Sequence, residues 1–309
     1  MKHQIVMDEL KEKLDDILNL LENKDKVVFV DYPIYLNIGD LIIWQGTEDF
    51  FEKNNINIVA RYSDLNFDIN VINEYFSDCV IICQGGGNFG DTYRTHQHVR
   101  DELVKKFEGK VIVLPQSVDF KSQDNSSKTI ELYQSKKNLF LCGRDEYSYN
   151  YFSKINRNTL LLPDMAHYSW ESHISYKKGN DELFFIRRDY EASETNFRYM
   201  TDRAVDWMNY YSYFDRFMLK LCRTVAPYCK SPLRAKILSK VWKKYSDFKL
   251  WKTKKFFLNY KNVITSRLHG HIYSCLLSIP NKTIDNSYKK NSRYYKQWTS
   301  RSDITDFES

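Results

Sequence analysis

Apolar runs alternate with helical stretches along the first part of this chain. Runs rich in valine, isoleucine and leucine lie at residues 27–31, 56–62, 79–84, 110–117 and 138–143. Amphipathic spacing predicts an opening helix at residues 7–21 and further helices between the runs. Strands that alternate with helices in this way are typical of a parallel sheet covered by helices on both faces. The pattern therefore predicts a doubly wound, Rossmann-like α/β domain.

The pattern changes after residue 172. Strands are predicted at residues 182–189 and 262–266, and the region 199–259 between them has helical periodicity without a clear strand. Pro227 and Pro232 should break that region into separate helices. We therefore expect an N-terminal Rossmann-like domain at residues 1–172 and a C-terminal α/β domain at residues 173–309 that carries a helical region at residues 199–259.

Charge is unevenly distributed along the 309 residues. The whole chain has a net charge of +6, whereas residues 216–261 contain 14 lysines and arginines and one acid, Asp247, which leaves the rest of the chain at −7. Aromatic residues are interspersed among these cations, as at an anionic membrane surface. An ordinary solvated basic face is the alternative. Nucleic acid is not expected, because no recognition motif accompanies the charge.

Other sequence features exclude several classes of protein. Acids interrupt the N-terminal apolar residues, so we expect no signal peptide, and no run approaches the ~20 apolar residues of a membrane span. The six cysteines form no CxxC pair, so buried thiols are expected rather than zinc or redox chemistry. These features predict a cytoplasmic protein without a metal site.

Polar residues and glycines follow the predicted strands, where open α/β sheets bind ligands. Candidates from the first domain are Asn37, Gly39, Asp40, Gly85, Gly86, Gly87, Asn88, Asp91, Arg144, Asp164 and His167. Candidates from the second domain are Arg187, Arg188, Arg267, His269, Asp285, Ser287 and Lys290. Polar groups from both domains at one edge predict a site in the cleft between them.

Residues 263–279 form the most informative of these segments. A short apolar strand leads through a polar turn with Arg267 and His269 into an apolar helix. The free N–H groups and the positive end of the helix dipole favour an anion in such a turn. A purely structural role for His269, as a helix cap, is the alternative.

Two local motifs are weak. Residues 85–90 match GxGxxG after a strand, but the match lies on the wrong turn for a dinucleotide site, and Gln116 stands where an acid should bind the ribose. His96 and His98 form an HxH in a predicted helix, where they face different sides, so surface histidines are expected rather than a metal site.

An ordered set of motifs resembles the polysaccharide pyruvyl transferase family. The set comprises NIGD (residues 37–40), GGGNFGD (85–91), LPQS (114–117), RDEYS (144–148), LPDMAH (162–167), SRLHGH (266–271) and DNSYKKNSRYY (285–295). The last motif is most similar to the exopolysaccharide branch of the family. The chain departs most from the family pattern at residues 199–259.

The resemblance implies a two-domain, glycosyltransferase-B-like fold with the basic helical region inserted in the second domain. It also implies that phosphoenolpyruvate donates a pyruvyl group to two hydroxyls of a sugar, which yields a cyclic ketal and phosphate without a further cofactor. A sugar on a lipid carrier is the expected acceptor. The rival hypotheses are a sugar-nucleotide glycosyltransferase and a non-catalytic membrane-surface scaffold.

Donor chemistry assigns roles to the candidate residues. Phosphoenolpyruvate carries a phosphate and a carboxylate, for which Arg144, Arg267 and Lys290 are the candidate cations. The methylene carbon must be protonated, and His269, which the family pattern also indicates, fits a general acid. Asp40 is the preferred acceptor of the hydroxyl proton, and Asp91 is the alternative. A role of Asp40 in capping the helix that follows explains its position equally well. The remaining substrate-binding candidates are Gly86, Gly87, Asn88 and Ser287.

Overall fold

The N-terminal part of the chain forms a parallel sheet. The computed structural model describes residues 1–21, 26–172, 177, 179–188, 198–200, 202–285 and 289–308. The strands of this sheet are β1 (Val27–Val30), β2 (Ile58–Tyr62), β3 (Val80–Cys83), β4 (Gly86–Gly90), β5 (Val111–Asp119), β6 (Leu139–Gly143) and β7 (Thr159–Leu161). Their order is β2-β1-β3-β5-β6-β7, and β4 pairs with β5. Every pairing is parallel.

Helices cover both faces of this first sheet. They are α1 (His3–Leu14) with a 3-10 helix (Asp15–Leu20), α2 (Ile38–Lys53), α3 (Ile69–Tyr75), α4 (Arg94–Lys106), α5 (Gln123–Gln134), α6 (Glu146–Ser153) and a 3-10 helix (Met165–Ser169). Successive residues of β1 enter different cores, since Phe29 packs in one and Val30 in the other. A strand buried on both faces reads as a continuous apolar run, which is why the sequence predicted this α/β architecture correctly.

A second parallel sheet follows in the C-terminal part. Its strands are β8 (Asp181–Phe185), β9 (Tyr260–Thr265), β10 (Asn281–Ile284) and β11 (Thr305–Glu308), in the order β11-β10-β9-β8. Helix α9 (Leu268–Leu276) joins β9 to β10, and α10 (Lys290–Tyr294) with a π-helix (Tyr295–Thr299) precedes β11. Strand β11 was not predicted, because its polar residues are only partly buried at the edge of the sheet.

The basic region between β8 and β9 is helical, as predicted. Its described elements include the 3-10 helices Trp207–Tyr210 and Ala226–Tyr228, α7 (Tyr213–Val225) and α8 (Pro232–Phe257). Pro227 lies in the break between α7 and α8, and Pro232 is the first residue of α8, where its missing N–H costs no helical hydrogen bond.

Helices cross the predicted domain boundary. Cys222 of α7 and Trp242 of α8 belong to a core of the first sheet, and the Trp242 indole donates a hydrogen bond to the carbonyl of Pro33. Conversely, Val6 and Leu10 of α1 pack in the core of the second sheet. The division at residue 172 therefore stays a prediction, since each half of the chain supplies helices to the other half.

The cysteines and the helices bear on two expectations from the sequence, namely buried thiols and no membrane span. All six cysteines are free thiols, and all except the half-buried Cys229 are buried, which confirms the expectation of buried thiols. Among the residues that the structure describes, no helix combines the length and apolar character required to cross a bilayer.

The strand order of the first sheet predicts where a ligand binds, namely at the carboxyl ends of β1 and β3. From β1 the chain passes through α2 to β2 on one side, and it then crosses to β3 on the other side of β1. Such a reversal opens a crevice at the carboxyl ends of the two central strands. The segments after β1 and β3 border that crevice, and both contain predicted site residues.

Candidate functional site

A cavity of about 390 Å³ lies between the two sheets. Residues that follow β1, β3 and β6 line one side of it, and residues that follow β8, β9 and β10 line the other. It thus lies at the carboxyl ends of both sets of strands, where the sequence predicted a cleft site. Seven predicted site residues line it: Asp40, Gly87, Asn88, Arg144, Arg267, His269 and Lys290.

The two other predicted residues do not line the cavity. Gly86 lies beneath it with a φ of +134°, and a Cβ atom there would be 3.4 Å from Oδ1 of Asp40. Glycine is therefore required at Gly86 for its backbone conformation. Ser287 lies outside the described residues.

Asp164 joins the two halves of the site. Its Oδ2 accepts a hydrogen bond from Nη1 of Arg144 at 2.7 Å and lies 3.4 Å from Nε2 of His269. Burial would raise the pKa of Asp164, but the hydrogen bond and charge of His269 and the charge of Arg144 hold it below its usual range. The ionised carboxylate therefore orients both a cation from the first sheet and a histidine from the second.

His269 does not cap its helix. Arg267 occupies the N-cap position of α9, and no side chain forms a capping hydrogen bond there. His269 is the second residue of α9, and its ring is directed at Asp164 and packed against Gly39 of α2. The capping alternative for His269 is therefore wrong, and the first N–H groups of α9 are not satisfied by a side-chain cap.

Gly39 sets the position of the His269 ring. A Cβ atom at Gly39 would lie 2.8 Å from Cγ of His269 and closer still to Nδ1. We expect Gly39→Ala to displace the ring and to reduce turnover on the order of tenfold to a hundredfold. Stability should change little, because alanine is favoured over glycine within a helix.

Gly46→Ala is the matched comparison for Gly39→Ala. Gly46 lies in the same helix, but its added Cβ would collide with the rigid backbone carbonyl of Met165. This variant should lose thermal stability in a melting experiment, whereas Gly39→Ala should lose turnover. If Gly39→Ala melts early and retains the wild-type turnover of its folded fraction, the ring contact has no functional role.

Asp40 lies near the start of α2 without capping it. Asn37 is the cap, since its side chain accepts a hydrogen bond from the N–H of Gly39, and its Nδ2 donates to Oδ2 of Asp40 at 2.6 Å. The capping explanation of Asp40 is therefore wrong. Burial raises the pKa of Asp40, although His269, His96 and a hydrogen bond from Tyr35 oppose the shift. A raised pKa suits a group that accepts a proton near neutral pH.

Asp91, the alternative proton acceptor, has a structural role. Its carboxylate accepts hydrogen bonds from the backbone N–H groups of Lys121 and Ser122 and from Nδ2 of Asn125. It holds the loop before α5 and does not line the cavity between the sheets. The structure therefore favours Asp40 over Asp91.

Asn88 and Gly87 form the wall next to Arg144. Oδ1 of Asn88 accepts hydrogen bonds from Arg100 and Gln116, at 3.1 Å and 3.0 Å. Its NH₂ group has no partner among the described residues, so it can donate to a ligand. A Cβ at Gly87 would be 3.1 Å from Nη2 of Arg144, so the absence of a side chain leaves room for that guanidinium beside the cavity.

The other predicted cations have acidic partners. Arg267 forms a two-pronged ion pair with Asp206, at 2.8 Å and 2.6 Å. Nζ of Lys290 lies 3.5 Å from Asp119. The Asp206 pair fixes the direction of the Arg267 guanidinium at the cavity wall, at the expense of part of its charge.

Several cavity residues were assigned no role from the sequence. They are Tyr35, Asp64, His96, Arg187 and Arg223. Arg187 appeared only as one of the polar residues after a strand, and Arg223 lies in α7, where no motif indicated a role. The spacing of four residues between His96 and Arg100 could have predicted a role for His96, because it places both side chains on one face of a helix.

His96 is buried and ion-paired, so its prediction as a surface histidine was wrong. Its Nδ1 lies 2.6 Å from Oδ1 of Asp31, whose Oδ2 is 3.3 Å from Nη1 of Arg100. Burial alone would lower the pKa of His96, but the charge and hydrogen bond of Asp31 raise it. Potential ligand atoms of Asp31, Asp64 and His96 lie within 4.8 Å of one another. Since Asp31 is already paired with His96 and Arg100, we assign no metal to them.

Comparison with known proteins gives the family of the chain. The family model for polysaccharide pyruvyl transferase matches residues 37–288. The chain is 36% identical over 302 residues to "Putative pyruvyl transferase EpsO" of Bacillus subtilis strain 168, covering 96% of this chain and 92% of the relative. It is 27% identical over 299 residues to Pyruvyl transferase 1 of Schizosaccharomyces pombe, covering 88% of this chain and 69% of the relative.

A solved structure shares the fold. The crystal structure of an uncharacterised protein from Klebsiella pneumoniae superposes with a TM-score of 0.64 at 23% identity, and the match covers 97% of this chain and 98% of the other. The family match spans most of the cavity-lining segments described above. The chain therefore belongs to the polysaccharide pyruvyl transferase family.

Proposed function

We propose that this protein transfers the pyruvyl group of phosphoenolpyruvate to two hydroxyls of a sugar in a bacterial surface-polysaccharide precursor. The product is a cyclic pyruvate ketal, and phosphate is released. The observation that carries the proposal is the charge of the cavity. It is lined by five fixed cations and two carboxylates, namely Arg144, Arg187, Arg223, Arg267 and Lys290 with Asp40 and Asp64.

The donor fits the second-sheet side of this cavity. A phosphate and a carboxylate together need several cations; Arg267 and Lys290 line that side, and Arg144, which follows β6, lines the cavity from the first sheet. The start of α9 adds N–H groups that no side chain of the described residues caps, and these are a favourable site for an anion. Donor binding would place the anionic groups next to His269.

The proposed acid and base come from two helices, one beside each sheet. His269 from α9 protonates the methylene carbon of the donor, while Asp40 from α2 accepts the proton of the attacking hydroxyl. Their elements are adjacent, since the ring of His269 packs against Gly39, the residue before Asp40. Both side chains line the same cavity. Because phosphoenolpyruvate carries its own leaving group, the reaction requires no cofactor.

Incubation with phosphoenolpyruvate and candidate sugars separates this proposal from its rivals. Phosphate release that depends on a sugar acceptor supports pyruvyl transfer. Thermal stabilisation by a nucleotide sugar but not by phosphoenolpyruvate would instead favour a sugar-nucleotide glycosyltransferase. If neither compound binds, a non-catalytic scaffold is favoured.

The proposal extends to the architecture and location of the protein. Two parallel sheets with a cavity at their carboxyl ends are the arrangement expected of a two-domain, glycosyltransferase-B-like enzyme. We further propose a cytoplasmic enzyme that works at the inner face of the plasma membrane on a lipid-linked oligosaccharide. The surface of α7 and α8 supports this last point.

Exposed apolar side chains recur along α7 and α8. Tyr213 and Phe217 of α7 are 93% and 59% exposed, and Leu233 of α8 is 70% exposed. The exposed strip continues at a spacing of mostly three or four residues, which keeps it on one face of each helix. Its other members are Leu221, Val225, Tyr228, Ile237, Val241, Phe248 and Trp251.

Cations accompany this apolar strip. Among the described residues, Lys220, Lys240 and Lys244 form no ion pair with a carboxylate. An apolar strip flanked by unpaired cations complements a bilayer that contains anionic lipid, and each well-placed cation contributes about 1 kcal/mol. The basic helical region at residues 216–261 is therefore proposed to bind an anionic membrane surface.

Vesicle co-sedimentation tests the membrane proposal. We expect the protein to bind vesicles that contain phosphatidylglycerol, and to bind them less at high salt. The triple variant Phe217→Ser, Leu221→Ser, Leu233→Ser should lose most of this binding. Tyr75→Ser, which alters an exposed aromatic residue of α3, is the control and should bind normally. Binding that is indifferent to anionic lipid and salt would remove the membrane hypothesis.

A further inference from the structure

His96 is held as an oriented imidazole at the wall of the cavity. Its Nδ1 is engaged by Asp31 at 2.6 Å, and Asp31 is in turn paired with Arg100. Nε2 of His96 has no hydrogen-bond partner among the described residues, and His96 lines the cavity. A carboxylate that fixes one ring nitrogen while the other is available is the arrangement of a general base.

The surroundings of His96 differ from those of His269. Burial and the charge of Asp31 raise the pKa of Asp64, which follows β2, and the nearby charges of His96 and of Arg223 in α7 oppose that shift. Asp64, His96 and Arg223 line the cavity. This part of the wall therefore has a carboxylate, a guanidinium and an imidazole, which suit hydrogen bonding to sugar hydroxyls rather than to two adjacent anionic groups.

Asp40 is close to both histidines. Its carboxylate interacts electrostatically with both His269 and His96, and its neighbour Gly39 is packed against His269. A substrate that extends from His269 past Asp40 would therefore reach His96 next. The donor cations are on the His269 side, which leaves the His96 side for the acceptor.

We propose that the part of the cavity lined by His96, Asp64 and Arg223 binds the sugar acceptor, and that His96 accepts the proton of the second attacking hydroxyl. This inference rests on the proposed pyruvyl transfer. It adds the location of the acceptor and a second base, which a ketal requires because two hydroxyls must lose their protons.

The ketal forms in two steps, one for each hydroxyl. In the first step the acceptor oxygen bonds to the central carbon of the donor, its proton passes to Asp40, and the double-bond electrons take a proton from His269 to form the methyl group. In the second step the other hydroxyl oxygen bonds to that carbon and its proton passes to His96, while the carbon–oxygen bond to phosphate breaks and its electrons leave with phosphate. Asp40 then returns a proton to His269, and His96 loses its proton to the departing phosphate or to water.

Several groups control the charge of His96. The facing groups are Asp31 at the end of β1, Asp64 after β2, Arg100 of the same helix, Asp40 of α2 and the ring of Tyr35. Asp31 raises the pKa of His96, so the neutral base form is lost as the pH falls through that raised value. Asp31→Asn should lower this pKa and move the acidic limb of the rate profile to lower pH.

His96→Gln is the direct test. With phosphoenolpyruvate and the sugar acceptor found active for the wild type, kcat should fall on the order of a hundredfold. Calorimetry with phosphoenolpyruvate alone should show unchanged donor binding. Added imidazole should restore part of the turnover of this variant, more effectively at higher pH, which a structural role of His96 would not produce. His98→Gln, an exposed residue of the same helix, should match the wild type.

Near-normal turnover of His96→Gln would overturn the base assignment. Loss of donor binding together with no rescue by imidazole would also overturn it, since His96 would then only support the fold. Failure of the wild type to release phosphate with any acceptor would instead contradict the proposed function itself. Asp31→Asn adds a second readout, because an unchanged acidic limb in a folded variant contradicts the coupling of Asp31 to His96.

Discussion

Replacing His269 with alanine is expected to reduce turnover by two to four orders of magnitude, roughly the contribution of a general acid. Without the imidazole, water must protonate the methylene carbon of the donor. Stability should fall by about 1 kcal/mol or less, because the contact of His269 with Asp164 is long, at 3.4 Å, and Arg144 still pairs with Asp164. Phosphate release and thermal melting measure the two effects.

His98→Ala is the control for this experiment, since His98 is exposed on α4 and should tolerate the change. Donor binding by His269→Ala should persist, because Arg144, Arg267 and Lys290 remain. If the variant keeps near-normal turnover, the general-acid assignment is wrong. If it unfolds, His269 is principally a support for Asp164.

Replacing Arg144 with glutamine is expected to damage stability as well as activity. Arg144 and Asp164 are both buried, and their ion pair is 2.7 Å long. Removal of the guanidinium leaves the buried Asp164 carboxylate with His269 and the backbone N–H of Ala166 as its described partners, which should cost about 3–5 kcal/mol. Turnover should be lost too, because Arg144 is a proposed donor-binding cation. Chemical denaturation at neutral pH measures the stability change.

The pH dependence follows from the lowered pKa of Asp164. A lowered folded-state pKa contributes stability that is present above the unfolded value of about 3.9 and is lost as the pH falls through the folded value. The deficit of Arg144→Gln should therefore be greatest near neutral pH and shrink below about pH 4. A deficit that is equal at every pH would show that the charge of Asp164 is not its cause.

The double variant Arg144→Gln, Asp164→Asn isolates the ion pair. Removal of the carboxylate should recover much of the lost stability, since no unpaired charge remains in the interior. Activity should not recover, because the donor still lacks the guanidinium. Recovery of activity along with stability would show that Arg144 acts only through the fold.

The positions of the strands and the edge that holds the site could be predicted from the sequence. Buried parallel strands are continuous apolar runs, and ligands lie at their carboxyl ends whatever the family. This placed Asp40, Arg144 and His269 in one cleft although they are distant in sequence. Their roles in catalysis remain proposals, because position alone does not show which proton each group moves.

The missed residues depend on contacts between distant segments. His96 is buried because Asp31, at the end of β1, binds its ring, and no local pattern in α4 shows that partner. Arg223 reaches the cavity because α7 and α8 pack against the first sheet through residues such as Trp242. Helical periodicity predicted these helices, but it could not indicate which sheet they would cover.

The most direct test of the central claim is the product formed from phosphoenolpyruvate and an acceptor sugar in deuterated water. We expect acceptor-dependent phosphate release and a product whose new methyl group carries one deuterium, delivered by a solvent-exchanged general acid in the cavity. His269→Ala should form this product far more slowly. A product that keeps a vinyl group, or turnover of a nucleotide sugar in place of phosphoenolpyruvate, would contradict the account.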